Sequence, residues 1–503
     1  MALTSAQESV LEQIIEAFEN GKRLTDLPVA TGADPFNLIV EVVDTDGESK
    51  QAALATMLPY VEDDVAYGIR FDTTVSSPEC TRIGNTSLHQ SLPVQSRMKG
   101  VLLDDDGNVT EYLDPSDWRG QTRDGSRGQV MVELPQHYRK CVTNGNYREV
   151  RISEYCLPGY QLVKKQYVSA YQATVDRTNN KLASVVNMTE QYRGCGNQSA
   201  WDGTYRTALG KPASALSRGT FRNYARKRKE GSTEWNCMVY DIQKELYWLY
   251  VIEYATLNSQ KDYTAELDSN GYHQGGLGAG VSNWSGTEWN NYNGYYPFVP
   301  CGHTDEFGNS TGVKAYEVKG EDDTVLLTTY VPRYRGVENP FGHIWQWTDG
   351  INVRISPTEE NGGDGLSKVF TCSDPALFSD SGYDGYTHVG NEARTDGYVK
   401  EVIFGENGEI MPSTVGAGST TYFCDYHYTN IPTSSETLRG VYFGGYANSG
   451  ADAGLVYAGS YLGPTVADAC IGSRLCFKTS ELAKYAGKQF ADIYTDFYLI
   501  RKS

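Results

Sequence analysis

The chain has 503 residues, of which 52 are Gly and 37 are Tyr, and only 21% are charged. This composition excludes a disordered chain and is typical of a loop-rich, β-containing globular protein of roughly two to four units. With 63 acidic and 44 basic residues the net charge is −19, which argues against nucleic acid and anionic lipid as partners.

The cysteines and histidines show no metal or redox pattern. The ten cysteines are dispersed without a C-x-x-C pair, which predicts reduced, mostly buried thiols, with a disulfide framework as the alternative. None of the seven histidines stands in H-E-x-x-H or another metal-ligand spacing. These residue types therefore predict no cofactor and no metal.

The N-terminal segment MALTSAQESVLEQ has neither the basic region nor the apolar region of an export signal. No run in the sequence approaches the roughly 18 apolar residues that a membrane-spanning helix needs. We therefore expect synthesis in a cytoplasm and no membrane insertion.

The first predicted elements are short. Ser5 and Glu8 have the spacing of a capping box, and the apolar stripe that follows predicts an amphipathic helix that ends before Gly21. Leu38–Val43 predicts a strand and Ala52–Leu58 a short helix. Because a short helix is marginal alone, its stripe must dock on its own domain, a neighbouring subunit or a larger assembly.

A hairpin is predicted in Val101–Leu113, where DDDGN marks the turn. The three aspartates raise a calcium loop as the alternative, but the twelfth position counted from Asp104 is Pro115, where an EF-hand requires Glu. Turn residues precede the predicted strand Gln129–Leu134, and we place a domain boundary near 115–125.

Two helical segments are predicted in the middle of the chain. The basic cluster of Thr220–Lys229 predicts a solvated helix end rather than a nucleic-acid contact. Thr233–Leu257 carries the longest helical periodicity, with an aliphatic stripe that Trp and Tyr widen. We predict that this second segment is a core helix, because such stripes usually serve packing.

The second half mixes strands with irregular aromatic segments. Residues 275–300 are rich in Gly, Asn, Trp and Tyr, which leaves two interpretations, a second surface loop or a packed irregular layer. Thr324–Tyr330 predicts a strand, and 338–356 contains a tight glycine turn between apolar and aromatic residues.

The stretch Arg439–Phe477 is the centre of the interpretation. It begins with a β-like run, continues as a display loop of small residues and tyrosines, and ends on the strand signal Ile471–Phe477. Tyr, Ser, Gly and Asn are typical of binding surfaces, because rigid amphipathic rings stand on an adaptable backbone. The alternative is that they fill an irregular loop of a β-rich domain.

Three short motifs resemble the formylglycine-generating-enzyme branch of the C-type lectin fold, which shows a G-N-V-W-E-W segment, an R-G-G-S opening and an I-G-F-R strand. The resemblance covers roughly 125–503 and implies an α+β fold with irregular loops. The matching positions are Gly342, Ile344, Trp345 and Trp347 for the first motif, Arg439 and Gly440 for the second, and Ile471, Gly472 and Arg474 for the third.

The same fold is similar to that of the variable proteins of diversity-generating retroelements, which are often phage receptor-binding proteins. Residues 1–113 look like the virion-anchoring region of fibre proteins from phages that infect Bacteroidetes-type hosts. The resemblances imply a small β-rich anchor and oligomerisation region at 1–113 and a large C-type-lectin-like ligand-binding domain at 125–503. They imply a head or tail fibre of the virion, a homotrimer attached to other virion proteins through its N-terminal region.

The sequence departs from the formylglycine enzymes where their chemistry lies. Their copper-binding cysteine pair precedes the I-G-F-R strand, whereas 440–469 contains no Cys, and Cys470 and Cys476 flank or lie in that strand. Gln346 stands where the family has a calcium-ligating Glu, which removes a hard anionic oxygen. We therefore predict no enzyme activity and no calcium.

A second catalytic pattern is also rejected. Cys424, Asp425 and His427 offer a thiol, a carboxylate and a base within four residues. Neighbours along a strand point to alternate faces, so these side chains cannot all converge, and a structural role is favoured. No catalytic residue is predicted.

In the variable proteins the ligand surface lies between the R-G-G-S-like and I-G-F-R-like segments, so the resemblance implies a host-binding face here for a surface glycan or protein. Two alternatives remain, a structural capsid or tail decoration protein without its own ligand and an enzyme on the formylglycine scaffold. The predicted ligand-binding residues are Tyr442, Tyr446, Asn448, Ser449, Asp452, Tyr457, Ser460, Tyr461 and Thr465.

Overall fold

The computed structural model describes residues 39–43, 49–53, 62–281 and 284–478. The helix predicted over Ser5–Asn20 lies outside these residues. Strands β1 (Ile39–Val43) and β2 (Ser49–Ala53) pair antiparallel, which confirms the strand predicted at Leu38–Val43. The helix predicted at Ala52–Leu58 is wrong at its first two residues, because they end β2, and the rest lies outside the described residues.

A five-stranded antiparallel sheet consists of β3 (Ala66–Asp72), β4 (Thr81–Gly84), β8 (His137–Asn144), β9 (Tyr147–Ser153) and β10 (Gln161–Val163). The strand order is β10-β8-β9-β3-β4. Tyr67, Ile69 and Phe71 alternate along β3 and pack in the main core, as the two-residue period of a strand requires.

A six-stranded antiparallel sheet consists of β5 (Lys99–Leu103), β6 (Val109–Tyr112), β7 (Gln129–Leu134), β11 (Gln166–Ser169), β14 (Trp235–Cys237) and β27 (Leu475–Lys478). The strand order is β14-β27-β11-β7-β5-β6. Its β5–β6 hairpin confirms the predicted turn, in which the Asp104 carboxylate accepts a hydrogen bond from the Asn108 amide at 2.8 Å.

These two sheets contain strands from both sides of the boundary predicted near 115–125. β3 pairs with β9, and β5 pairs with β7. The strand β27, from the other end of the described chain, lies between β14 and β11. The division into 1–113 and 125–503 therefore does not coincide with a break in the sheets, because the pairing partners lie far apart in the sequence.

The α-helices with described bounds are α1 (Thr86–Ser91), α2 (Arg218–Arg226), α3 (Tyr240–Tyr254) and α4 (Gly286–Asn293). The helix predicted over Thr233–Leu257 begins only at Tyr240, because Trp235–Cys237 form β14 and pair with β27. Every α3 side chain except that of Asp241 is buried, which confirms the prediction of a core helix.

Polar side chains on α3 are buried with partners. The Glu245 carboxylate contacts His137 Nε2 at 2.8 Å and forms an ion pair with Arg139. The Lys244 ammonium lies 3.2 Å from the Glu409 carboxylate. Since a buried charge is costly unless it is paired, these contacts let a helix with charged residues cross the core.

The largest sheet consists of β18 (Trp345–Ile355), β19 (Ser367–Thr371), β20 (Thr387–Asn391), β21 (Gly397–Phe404), β22 (Glu409–Val415), β23 (Tyr426–Thr429), β24 (Thr437–Gly444), β25 (Gly454–Ser460) and β26 (Ile471–Gly472). The order is β20-β19-β18-β24-β25-β23-β21-β22, and β26 pairs with β18. Val441 and Phe443 of β24 pack in the same core as α3.

The two smaller sheets are β12 (Thr174–Asp176) with β13 (Lys181–Ala183), and β15 (Gly312–Lys319) with β16 (Val325–Tyr334) and β17 (Val337–Glu338). β16 confirms the strand predicted at Thr324–Tyr330. With few helices and strands in every part of the described chain, the protein is β-rich, in agreement with the α+β class.

The interpretation of Arg439–Phe477 as a strand, a display loop and a strand is wrong in its middle. Residues Gly454–Ser460 form β25, whose seven side chains are all buried. β25 lies between β24 and β23, so it is a central strand of the largest sheet. Its small residues suit that place, because neighbouring rings cover them.

The basic cluster at the end of α2 is not a solvated face. Arg222 is buried, with its guanidinium 2.5 Å from the Asp349 carboxylate and 2.8 Å from that of Asp380. Arg228 is buried as well and lies 2.6 Å from the Asp105 carboxylate. The prediction of a solvated face is therefore wrong for Arg222 and Arg228, because their acidic partners come from distant segments, whereas Lys227 is exposed as predicted.

The irregular segment 275–300 forms a packed layer. Trp284, Trp289 and Phe298 are buried in one cluster, and α4 lies within the segment. The Trp284 amide donates a hydrogen bond to the Ala447 carbonyl at 3.1 Å. Of the two interpretations left by the sequence, the structure agrees with the packed layer.

Candidate functional site

The predicted ligand-binding residues differ in exposure. Asn448 and Thr465 are exposed, and Tyr446, Asp452 and Tyr461 are half-buried. The expectation of exposure is wrong for the remaining residues. These buried residues are Tyr442, Ser449, Tyr457 and Ser460. Three of them lie on β24 or β25, which are central strands covered on both faces. Ser449 lies between these two strands, and its hydroxyl accepts a hydrogen bond from the Tyr446 amide at 3.0 Å.

A row of aromatic rings crosses the largest sheet on one face. Trp345 on β18 lies 4.8 Å from Tyr442 and 4.5 Å from Tyr457, measured between ring centroids. Tyr457 lies 5.8 Å from Tyr426, which lies 5.1 Å from Tyr398. These contacts join rings of β18, β24, β25, β23 and β21 into one continuous row.

Glycine leaves the room that this row needs. Gly459 on β25 stands opposite Tyr442 on β24 in the antiparallel register. A Cβ atom at Gly459 would lie 2.1 Å from the Tyr442 ring. Any larger residue would therefore displace the ring, which gives the small residues of β25 a defined function in packing.

Three further rings extend the row to its accessible side. Tyr428 is 37% exposed and stacks on Tyr461, with ring centroids 4.9 Å apart and planes 5° from parallel. Tyr446 stacks on Trp345 at 5.8 Å and also touches Trp289 at 5.7 Å. We call the row together with Tyr428, Tyr446 and Tyr461 the aromatic face.

Acidic groups border the aromatic face. The Asp396 carboxylate accepts a hydrogen bond from the Thr429 amide at 2.8 Å and is exposed. Burial, together with a hydrogen bond to the Asp452 carboxylate, raises the pKa of Tyr398 to about 12. The phenol therefore stays neutral at pH 7, and the carboxylates supply acceptors at the edge of the rings.

Ser460 belongs to the opposite face of the sheet. Its hydroxyl donates to the Glu392 carboxylate at 2.9 Å, and the Thr429 hydroxyl donates to the same oxygen at 3.1 Å. Burial raises the pKa of Glu392 to about 8. Ser460 thus supports the strands from the core side and does not contribute to the aromatic face.

The motif positions that carry the lectin-fold resemblance lie together. Trp345 stands opposite Ile471 and Gln346 opposite Gly472, where β26 pairs parallel with β18. The Arg474 Nε donates to the Gln346 Oε1 at 2.7 Å, and the Gln346 amide nitrogen donates to the Pro340 carbonyl at 2.9 Å. Both ends of the Gln346 amide are therefore used inside the protein.

The side chains of Cys424, Asp425 and His427 do not form a catalytic group. The His427 ring nitrogens lie 3.2 Å and 3.1 Å from the carbonyls of Ala458 and Ala393. Asp425 accepts hydrogen bonds from the Ser259 hydroxyl at 3.0 Å and the Val456 amide at 2.9 Å. The Asp425 and His427 side chains are therefore each engaged by other partners.

A metal-binding cluster and a membrane-spanning helix are both absent from the described residues. Among them, no group of three or more His, Cys, Asp or Glu side chains is placed to hold a metal ion. Within the same part of the chain, no helix is long and apolar enough to cross a membrane.

Sequence reasoning missed the rings that strand neighbours bring to the face. Tyr426 and Tyr428 are two residues apart in the strand that also holds His427, so the alternation of side chains places both tyrosines on one face and His427 on the other. Tyr398 carries no such signal, because its position depends on the pairing of β21 with β23.

No family model and no curated protein matches this sequence. Among solved structures, the chain is similar to the Major Tropism Determinant variants U1, P3c and M1, each at 13% identity and over 89% of this chain and 95% of theirs. The TM-scores are 0.23, 0.22 and 0.23. At TM-scores this low, no conclusion about the present chain is drawn from the similarity.

Proposed function

We propose that this protein is a phage virion fibre protein, of the head or the tail, that binds the host cell surface through the aromatic face. The observation that carries the proposal is a continuous row of rings that begins in the core and ends in half-exposed tyrosines. Such rings can stack on sugars or fill a protein pocket and lose little conformational entropy on binding.

The geometry favours recognition because the rings are held on strands. The Tyr428 and Tyr461 rings are stacked, and Tyr446 is fixed between Trp345 and Trp289. Preorganised side chains avoid the ordering cost that flexible ones incur on binding. The ligand is a host-surface glycan or protein, and the net charge of −19 argues against a polyanion.

The wider proposal rests on the motifs. The three segments that resemble the C-type lectin fold meet in and beside the largest sheet, with Trp345 paired to Ile471 and Asn352 paired to Gly440. We propose that the region up to about 113 attaches the protein to other virion proteins, as a homotrimer. Residues 1–38, which belong to that region, lie outside the described part of the chain.

An enzyme on the formylglycine scaffold has no support from the thiols. Burial raises the pKa of the Cys476 thiol to about 12, and burial raises that of Cys470 well above its ordinary value. The thiolate is the reactive form of cysteine, so both groups are held in the unreactive form at pH 7.

The test replaces the two stacked, accessible tyrosines. The double variant Tyr428→Ala/Tyr461→Ala should fold with an unchanged circular dichroism spectrum and lose binding to host bacteria, because exposed rings contribute little to stability and much to contact. The matched control is Tyr147→Ala, which removes a ring that is 46% exposed on the β8–β9 hairpin.

Binding would be measured by adsorption of labelled protein to a panel of Bacteroidetes-type bacteria and on a glycan array. If the double variant adsorbs like the parent, the aromatic face is not the binding site. If the parent adsorbs to no cell and no glycan, the alternative of a decoration protein without its own ligand is favoured. Capsid and tail genes beside this gene, and a reverse transcriptase with a near-repeat of the 439–477 coding sequence, would support the fibre assignment.

A further inference from the structure

A second aromatic surface is formed by residues outside the aromatic face. The Arg206 guanidinium contacts the faces of two rings, with its Cζ 5.8 Å from the Trp201 centroid and 5.2 Å from the Tyr205 centroid. The Thr204 amide and hydroxyl both donate to the Trp201 carbonyl, at 3.0 Å and 2.7 Å. These bonds close the turn that brings both rings to the cation.

The turn is fixed from beneath by α4 and the residues after it. Trp201 meets Tyr296 edge to face at 5.6 Å. Tyr205 meets Tyr292 at 5.9 Å, and the Tyr292 hydroxyl donates to the Tyr205 carbonyl at 3.2 Å. The two rings that flank Arg206 are therefore held in place before any ligand arrives.

The Arg206 side chain has no acceptor within the part of the chain that the structure describes. Its Nε is shielded from water and makes no hydrogen bond, and its side chain makes no ion pair. The nearby Arg193 differs, because its Nε donates to the Asp202 carboxylate at 3.0 Å. The chain has an excess of acidic residues, 63 against 44 basic ones, yet none of the described carboxylates pairs with Arg206. Its guanidinium, which contacts two rings, is therefore available to an external acceptor.

We infer that residues 201–206 form a second ligand site that binds an oxyanion, a carboxylate or a phosphate, carried by a sugar-sized molecule. A guanidinium presents parallel N–H donors that match the two oxygens of such a group. The ring of Tyr205, which is 36% exposed, offers an apolar surface to the sugar beside the anion. The net charge of −19 limits the ligand to a single anionic group rather than a polyanion.

The test titrates the full-length protein with four small probes by ligand-observed NMR. Glucuronate carries a carboxylate, glucose 6-phosphate carries a phosphate, glucose is the neutral reference, and inorganic phosphate tests the anion without a sugar. We expect glucuronate, glucose 6-phosphate or both to bind at least about tenfold more tightly than glucose, because a charge-assisted hydrogen-bond pair is added. Whichever acidic sugar binds more tightly identifies the anion.

Three variants make the result specific to Arg206. Arg206→Gln should reduce the affinity for the acidic sugar to that for glucose. Arg206→Lys should bind the acidic sugar with an intermediate affinity, because it keeps the positive charge and loses the parallel N–H donors of the guanidinium. Arg148→Gln is the control, since it removes an arginine whose hydrogen bonds go to backbone carbonyls on the β8–β9 hairpin. Circular dichroism of each variant checks the fold, and Arg206→Lys replaces Arg206→Gln if the latter unfolds.

The inference is wrong if neither acidic sugar binds better than glucose, or if Arg206→Gln and Arg206→Lys both bind them like the parent. Inorganic phosphate bound equally by the parent and by Arg206→Gln would show nonspecific anion binding and would also overturn it. Because the probes and residues differ from those of the adsorption assay, failure here leaves the proposal for the aromatic face standing, and the reverse also holds.

Discussion

At the scale of single residues, the aromatic face divides its tyrosines into two roles. Tyr442 and Tyr457 are buried and hold the strands together, whereas Tyr428 is 37% exposed and Tyr446 and Tyr461 are half-buried. The same residue type therefore serves packing at one end of the row and is accessible to solvent at the other. Substitutions along the row should show this division directly.

Replacement of Tyr457 by Ala should destabilise the fold by about 3–5 kcal/mol, because a large buried ring is removed and leaves a cavity against Trp345. Tyr428→Ala is the control and should cost about 1 kcal/mol or less. Urea denaturation followed by circular dichroism measures both. Equal free energies of unfolding for the two variants would contradict the burial of Tyr457.

Glu392 should make stability depend on pH. Its pKa is about 8 in the fold against an ordinary 4.5, so between these values the folded state keeps a proton that the unfolded chain has released. The contribution of the protonated group is fully present below pH 4.5 and is lost as the pH rises through about 8.

Glu392→Gln should remove this loss, because the amide does not titrate and its oxygen still accepts from Ser460 and Thr429. The free energy of unfolding of the variant should therefore rise relative to the parent between pH 5 and pH 8 in urea titrations. A difference between the two proteins that stays constant with pH would show that the Glu392 carboxyl has an ordinary pKa in the fold.

At the scale of elements, α3 is the helix on which the sheets pack. Leu246 and Leu249 are 3% and 0% exposed, and both belong to the core cluster that contains residues of β3, β9, β18 and β25. A loss of packing on this helix should therefore destabilise several sheets at once.

Leu246→Ala or Leu249→Ala should cost about 2–5 kcal/mol, because a buried aliphatic group is lost and the core does not fully close. Leu267→Ala is the matched control, since that leucine is 51% exposed. Differential scanning calorimetry compares the three variants. A melting temperature that is unchanged in both α3 variants would contradict the packing of Leu246 and Leu249 in the core.

At the scale of the whole molecule, the predicted assembly is a homotrimer attached to the virion. The full-length protein should scatter light as a trimer of the 55.7 kDa chain, because the amphipathic helix predicted from the sequence over Ser5–Asn20 needs a partner for its apolar stripe. A monomer both in purified protein and in complexes isolated from virions would contradict this prediction.

Local patterns in the sequence were sufficient for several elements. The turn residues before β7, the turn residues of DDDGN and the helical stripe of α3 predict structure because each depends on neighbours along the chain. The alternation of neighbouring side chains also predicted that Cys424, Asp425 and His427 do not all converge. The motif resemblance drew attention to the three segments that meet in and around the largest sheet.

Other features were decided only by tertiary structure. Gly454–Ser460 reads as a loop because Gly and Ala have little strand propensity, and it becomes β25 only through its pairing with β24 and β23. The burial of Tyr457 follows from that pairing, and the place of Tyr398 follows from the pairing of β21 with β23. The pairs β3–β9 and β5–β7, which cross the predicted boundary, were also decided only by tertiary structure. Hydrogen bonding between segments that are distant in the sequence leaves no local signal.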